Sequence, residues 1–157
     1  YDAAMVEKIR ESGADTVAMA GFMRLVTPVF LGAFPGRVIN IHPALLPSFP
    51  GVHGQGDAAD YGVKLSGCTV HFVNEKMDNG PVIIQAAVPV TPGETGDTLG
   101  ARILKLEHRI YPQALQWLSQ GRLRVEGRHV FVDGEGEAAE MDGAVPCVVN
   151  PPLEKGF

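Results

Sequence analysis

VINIHPALLPSFPG, residues 38–51, opens as an apolar run of the kind that fills a buried strand, then breaks into a loop carrying Pro43, Pro47 and Pro50. Asn40 and His42 close the run. Burying a polar side chain costs about 1–3 kcal/mol unless a partner satisfies it, so two in succession need a reason. Side chains alternate along a strand, which sets Val38, Asn40 and His42 on one face and Ile39 and Ile41 on the other. Asn40 and His42 are then roughly 6.6 Å apart at ~3.3 Å per residue. Pro43 holds His42 in an extended backbone, Pro47 and Pro50 stiffen the following turn, and Leu45 and Leu46 can anchor it. A donating amide beside a titratable imidazole suits stabilisation of an oxyanion, but a satisfied core pair would use the same residue types. On this stretch alone both readings stand.

The flanking segments give the sheet its kind. DAAMVEKIRESG (2–13) carries Met5, Val6 and Ile9 as an apolar stripe and ends on Gly13, which predicts a helix. ADTVAMAGF reads as a short β run, and Thr27 as N-cap with Pro28 at the first helical position predicts a second helix before GRVINIH. Helix, strand, helix, strand in that order implies parallel strands joined by right-handed crossovers, hence an α/β chain built on an open, mostly parallel twisted sheet. Ligands of such sheets bind beyond the carboxyl ends of the strands, where Asn40 and His42 lie.

Beyond the proline loop, QGDAADYG predicts a brief helix, and two β runs, Cys68 to Asn74 and Pro81 to Val90, flank the turn MDNG. With a terminal hairpin, RLRVEGRHVFVDG, turning near Gly127, they supply antiparallel strands towards the C-terminus. Between them Leu99, Ile103, Leu106, Ile110, Leu115 and Leu118 predict a helix from about Thr95 to Gln120, kinked or divided at Pro112. Residues 1–133 form the expected domain, and 134–157, which lack periodicity, read as a tail that is loose or irregularly packed. Asp78 lies in the MDNG turn. A carboxylate near an imidazole favours its charged donor form, but Asp-Asn-Gly turns are common for local reasons, and spacing alone does not bring Asp78 to His42.

Composition narrows the classes. The chain has 157 residues, 45% apolar and 20% charged, with a formal net charge of −5 and no Lys/Arg cluster to follow a polyanion, which disfavours nucleic acid as a partner. Cys68 and Cys147 show no paired spacing, so neither a disulfide framework nor a thiolate metal site is expected, and a reducing cytoplasm is the natural compartment. No apolar run approaches the ~20 residues of a membrane helix, so no membrane partner is expected.

Taken together, INIHPALLPSFPG, GCTVHFVNEKMDNGPVIIQAAVPV and EHRIYPQAL resemble the phosphoribosylglycinamide formyltransferase family, folate-dependent enzymes of purine synthesis, over about Tyr1 to Val132. The resemblance implies a Rossmann-like fold, 10-formyltetrahydrofolate as co-substrate, glycinamide ribonucleotide as formyl acceptor, and no metal. It implies that Asn40, His42 and Asp78 are catalytic, Asn40 and His42 holding the oxyanion and Asp78 orienting or charging His42 and helping to move the proton. Met23, Arg24, Leu25 and Val26 of GFMRLV, with Asn40, would line the folate pocket. Glu107 of EHRIYP would hold the ribose hydroxyls, with Pro43 also at the substrate. Without the resemblance, Met23, Leu25 and Val26 read as core and Arg24 as a surface charge. His53, His71 and His108 lie near the motifs with roles left open, and His129 reads as solvated.

The front departs from the pattern. The family opens on a strand and a glycine-rich loop whose amides hold a phosphate. GADTVAMAG lacks those glycines, so about two βα units, ~60 residues at ~30 per unit, are expected to be missing before Tyr1. Formyltetrahydrofolate deformylase, which passes the formyl group to water, is the nearest rival, and a non-catalytic folate-binding fragment is another. Methionyl-tRNA formyltransferase would need a basic RNA-binding domain. A homodimer is compatible with the sequence.

Overall fold

The computed structural model describes residues 1–134 and 147–157. Its elements are α1 (Asp2–Glu11), β1 (Val17–Ala20), α2 (Pro28–Ala33), β2 (Val38–His42), α3 (Gly54–Tyr61), β3 (Leu65–Phe72), β4 (Val82–Pro89), α4 (Gly96–Ser119), β5 (Leu123–Glu126), β6 (His129–Val132) and β7 (Val148–Asn150). Five strands form one open sheet in the order β1-β2-β3-β4-β7, and β5 and β6 form a separate hairpin.

The α/β class is as expected, with a correction to the sheet. Among the described residues, parallel pairing is confined to β1 and β2, joined by the α2 crossover; β2–β3, β3–β4 and β4–β7 are antiparallel. A parallel neighbour needs a crossover of a dozen or more residues, and the link of residues 73–81 between β3 and β4 is too short for one. The antiparallel register places His71 opposite Asn40 and Thr69 opposite His42.

α4 packs its stripe of Leu99, Ile103, Leu106, Ile110, Ala114 and Trp117 against the sheet residues Ile39, Cys68, Val70, Ile84, Ala86 and Val88. The Thr95 hydroxyl caps the helix by accepting from the Thr98 amide at 3.2 Å. Pro112 does not divide it: the helix runs unbroken from Gly96 to Ser119, because burial of the stripe on both sides of the proline outweighs one lost hydrogen bond. A second cluster of Val6, Met19, Val26, Phe30, Phe34 and Val38 holds α1 and α2 to the other end of the sheet.

The tail also departs from expectation. Residues 135–146 lie outside the described residues, but Val148–Asn150 joins β4 as a sheet strand, and Leu153 is 2% exposed in the core. The Glu154 amide donates to Gln113 Oε1 at 2.8 Å, and the Glu154 carboxylate pairs with Arg122 at 2.7 Å. A three-residue strand added to an existing edge is too short to show periodicity, so its packing is set by tertiary contacts. Among the described residues, no helix is long and apolar enough to cross a membrane.

Candidate active site

Strand β2 delivers Asn40 and His42 to the carboxyl end of the sheet, and β3 brings His71 beside Asn40, since residues directly opposite in an antiparallel pair share a face. The turn after β3 carries Asp78 with φ +47°, a left-handed conformation that the Asp-Asn-Gly sequence tolerates. Gly80 closes this turn where nothing larger fits, because a Cβ there would land on the Phe72 carbonyl oxygen.

These elements converge. His42 Nδ1 lies 3.6 Å from Asp78 Oδ2, and His71 Nε2 lies 3.7 Å from Asp78 Oδ1, within ion-pair range but longer than a formed hydrogen bond. His42 Nε2 donates to the Phe49 carbonyl at 2.8 Å, and the Gly51 amide donates to Asp78 Oδ2 at 2.8 Å. His71 Nδ1 donates to the Phe72 carbonyl at 2.8 Å, which leaves Nε2 as the acceptor facing Asn40 Nδ2 at 3.3 Å. Burial holds the His71 pKa below the ordinary histidine value, against the opposing pull of the Phe72 carbonyl and Asp78, so the ring is neutral and keeps this tautomer.

All nine residues singled out from the sequence border one cavity of about 550 Å³: Asn40, His42, Pro43, Asp78, Met23, Arg24, Leu25, Val26 and Glu107. That volume is in the range of a small-molecule site. Met23 is 67% exposed and Leu25 54% exposed on its wall, so these two are not core; Val26, at 5%, is. Arg24 lies over the Tyr1 ring at 4.0 Å and 3.9 Å from Asp2 Oδ1. Burial pushes the Glu107 carboxyl above the ordinary value, with His108 and His42 opposing.

The sequence reading missed Gln55, Asp97 and Leu104, which also border the cavity. Gln55 Oε1 is buried with no hydrogen-bond partner. A signal for the α3–α4 seam existed in the paired glycines of GQG and TGDTLG: a Cβ on Gly96 would lie 2.9 Å from the Gly56 Cα, and one on Gly100 3.3 Å from Gln55 Cγ.

Comparison with known proteins places the chain in a family. Residues 1–115 match the Formyl transferase family. The phosphoribosylglycinamide formyltransferase of Escherichia coli is 42% identical over 135 residues, 86% of this chain and 64% of that protein. The crystal structure of glycinamide ribonucleotide transformylase 1 from Symbiobacterium toebii superposes with a TM-score of 0.81 at 53% identity, covering 83% of this chain and 62% of that one. The formyltetrahydrofolate deformylase of Burkholderia mallei superposes with a TM-score of 0.74 at 30% identity, covering 85% of this chain and 47% of that one. The chain thus spans less than two thirds of the length of each of these relatives.

Proposed function

The chain belongs to the formyl transferase family, and from that premise we propose that it carries the formyl-moving centre of an enzyme that transfers the formyl group of 10-formyltetrahydrofolate to the amine of glycinamide ribonucleotide. One observation carries the reading: Asn40, His42 and Asp78, drawn from a strand end and a distant turn, face one cavity. The co-substrate supplies an activated formyl carbon; the side chains supply the charge stabilisation and the proton route.

Asn40 has two amide hydrogens, and His71 Nε2 engages one, leaving the other for the formyl oxygen as it gains negative charge. His42 Nε2 is committed to Phe49, so Nδ1 is the ring nitrogen left to serve the same oxygen, with Asp78 supplying negative charge opposite a proton there. Asp78 takes the proton that the attacking amine loses and returns it to the departing folate nitrogen, directly or through a water. Met23 and Leu25 present apolar surface for the folate ring system, and Glu107 takes the ribose hydroxyls.

The test uses the intact polypeptide, with formyl transfer and formate release measured in parallel. Asn40→Ala and His42→Ala are each expected to lower turnover by ~10²-fold or more, as removal of an oxyanion donor does. Normal rates in both folded variants would reject the mechanism, and formate release without transfer would reassign the protein to the hydrolase. Transfer is favoured because the transformylase is 53% identical against 30% for the deformylase.

A further inference from the structure

We propose that Thr69 and Gln85 form a positioning clamp that fixes the proline loop and so holds His42 and Asp78 in working register, an inference that rests on the formyl-transfer reading. His42, Thr69 and Gln85 stand opposite one another on β2, β3 and β4, and residues so paired share one face of the sheet. Neither Thr69 nor Gln85 borders the cavity. Thr69 is fully buried, and its hydroxyl uses its whole capacity: it donates to the Ala44 carbonyl at 2.7 Å and accepts from the Leu46 amide at 3.1 Å and from Gln85 Nε2 at 3.0 Å. Gln85 Nε2 also donates to the Leu46 carbonyl at 3.0 Å.

The clamp therefore grips the loop just after His42. The loop then returns to the site, where the Phe49 carbonyl accepts from His42 Nε2 and the Gly51 amide donates to Asp78. Residues 44–46 are tied to β3 and β4, and residues 49–51 tie the imidazole and the carboxylate to each other's neighbourhood. A loop free to shift at Leu46 would carry both contacts with it.

The experiment compares the intact wild type with Thr69→Val, Thr69→Ser and Gln85→Met, recording kcat, KM, melting temperature and hydrogen exchange of the Leu46 amide. Thr69→Val and Gln85→Met are expected to lower kcat by about 10- to 100-fold while KM stays within about twofold, since small misplacement of reacting groups acts on the chemical step. Leu46 exchange should quicken in both, and Thr69→Ser, which keeps the hydroxyl, should restore kcat. Unchanged kcat in folded Thr69→Val and Gln85→Met, or a loss that serine does not restore, overturns the clamp even if melting temperatures fall. Should Thr69→Val not fold, Gln85→Met decides by the same criteria. A wild type that releases formate but does not transfer it overturns the transfer reading alone, and the clamp is then judged on formate release.

Discussion

Asn40 and His71 face each other across β2 and β3, the amide nitrogen 3.3 Å from the imidazole Nε2. Because the Phe72 carbonyl claims the proton on Nδ1, Nε2 can only accept, and this fixes which way the Asn40 amide is turned. Orientation of the donor is thus set by a neighbour that is itself set by the backbone.

This arrangement makes stability depend on pH. Burial depresses the His71 pKa, so the folded protein binds fewer protons than the unfolded chain below about 6.5, the ordinary histidine value. The contribution of His71 is fully present above that pH and is lost as pH falls through the lower native value. Urea midpoints measured from pH 5 to 8 should show wild type losing stability relative to His71→Gln below about pH 6.5 and a constant difference above it. A difference that does not change across this range would count against a neutral buried ring.

Glu107 has the opposite sign. Its raised pKa means that the native state favours the protonated acid, so its contribution is greatest below the ordinary carboxylate value and is lost as pH rises through the native one. Glu107→Gln should therefore melt higher than wild type at pH 7.5 and converge with it near pH 4, as expected when a buried charge is replaced by a neutral isostere. Under the proposed function, the same variant should raise KM for glycinamide ribonucleotide. Equal melting temperatures at pH 7.5 would contradict the burial argument.

Gly80→Ala places a methyl on the Phe72 carbonyl oxygen. Backbone must move, at a cost of about 1–3 kcal/mol, as in other overpacked sites. Because Asp78 rides on the same turn, turnover should fall by more than the stability loss explains. Denaturation and single-turnover rates on the same preparation separate the two effects, and wild-type turnover in a destabilised variant would show that the turn does not place Asp78.

Leu153→Ala tests the packed C-terminal segment. Leu153 is 2% exposed, and removing a buried leucine side chain costs about 2–5 kcal/mol when the cavity cannot collapse. A chemical denaturation midpoint reads this directly; a change under about 0.5 kcal/mol, ordinary for a surface position, would mean the segment is not docked.

What the sequence disclosed, and what it hid, follows from range. The α4 stripe is a local period of one helix, so Leu99, Ile103, Leu106, Ile110 and Leu118 were legible in it, whereas Ala114, Trp117 and the continuity through Pro112 were not. Asn40 and His42 could be placed at a strand's carboxyl end because the alternation of VINIH and the proline after it are local as well. Asp78 could not be brought to His42, because that meeting depends on β3 turning back beside β2. The pairing of β3 antiparallel to β2 and the docking of β7 were hidden for the same reason: pairing partners are chosen by packing across the sheet. The glycines around Gln55 marked a close helix seam, but the glutamine itself carried no signal, since its side chain looks the same in sequence whether it faces water or a cavity.

Helix α4 is 24 residues long, about 36 Å at 1.5 Å per residue, and it borders the cavity at Asp97 and Glu107 while its Gln113 holds the amide of Glu154. Its Arg109 guanidinium also grips the backbone carbonyl of Phe157. One stiff rod therefore joins the cavity wall to residues 154–157. Displacing Glu154 or Phe157 therefore loads the same helix that carries Glu107 to the cavity.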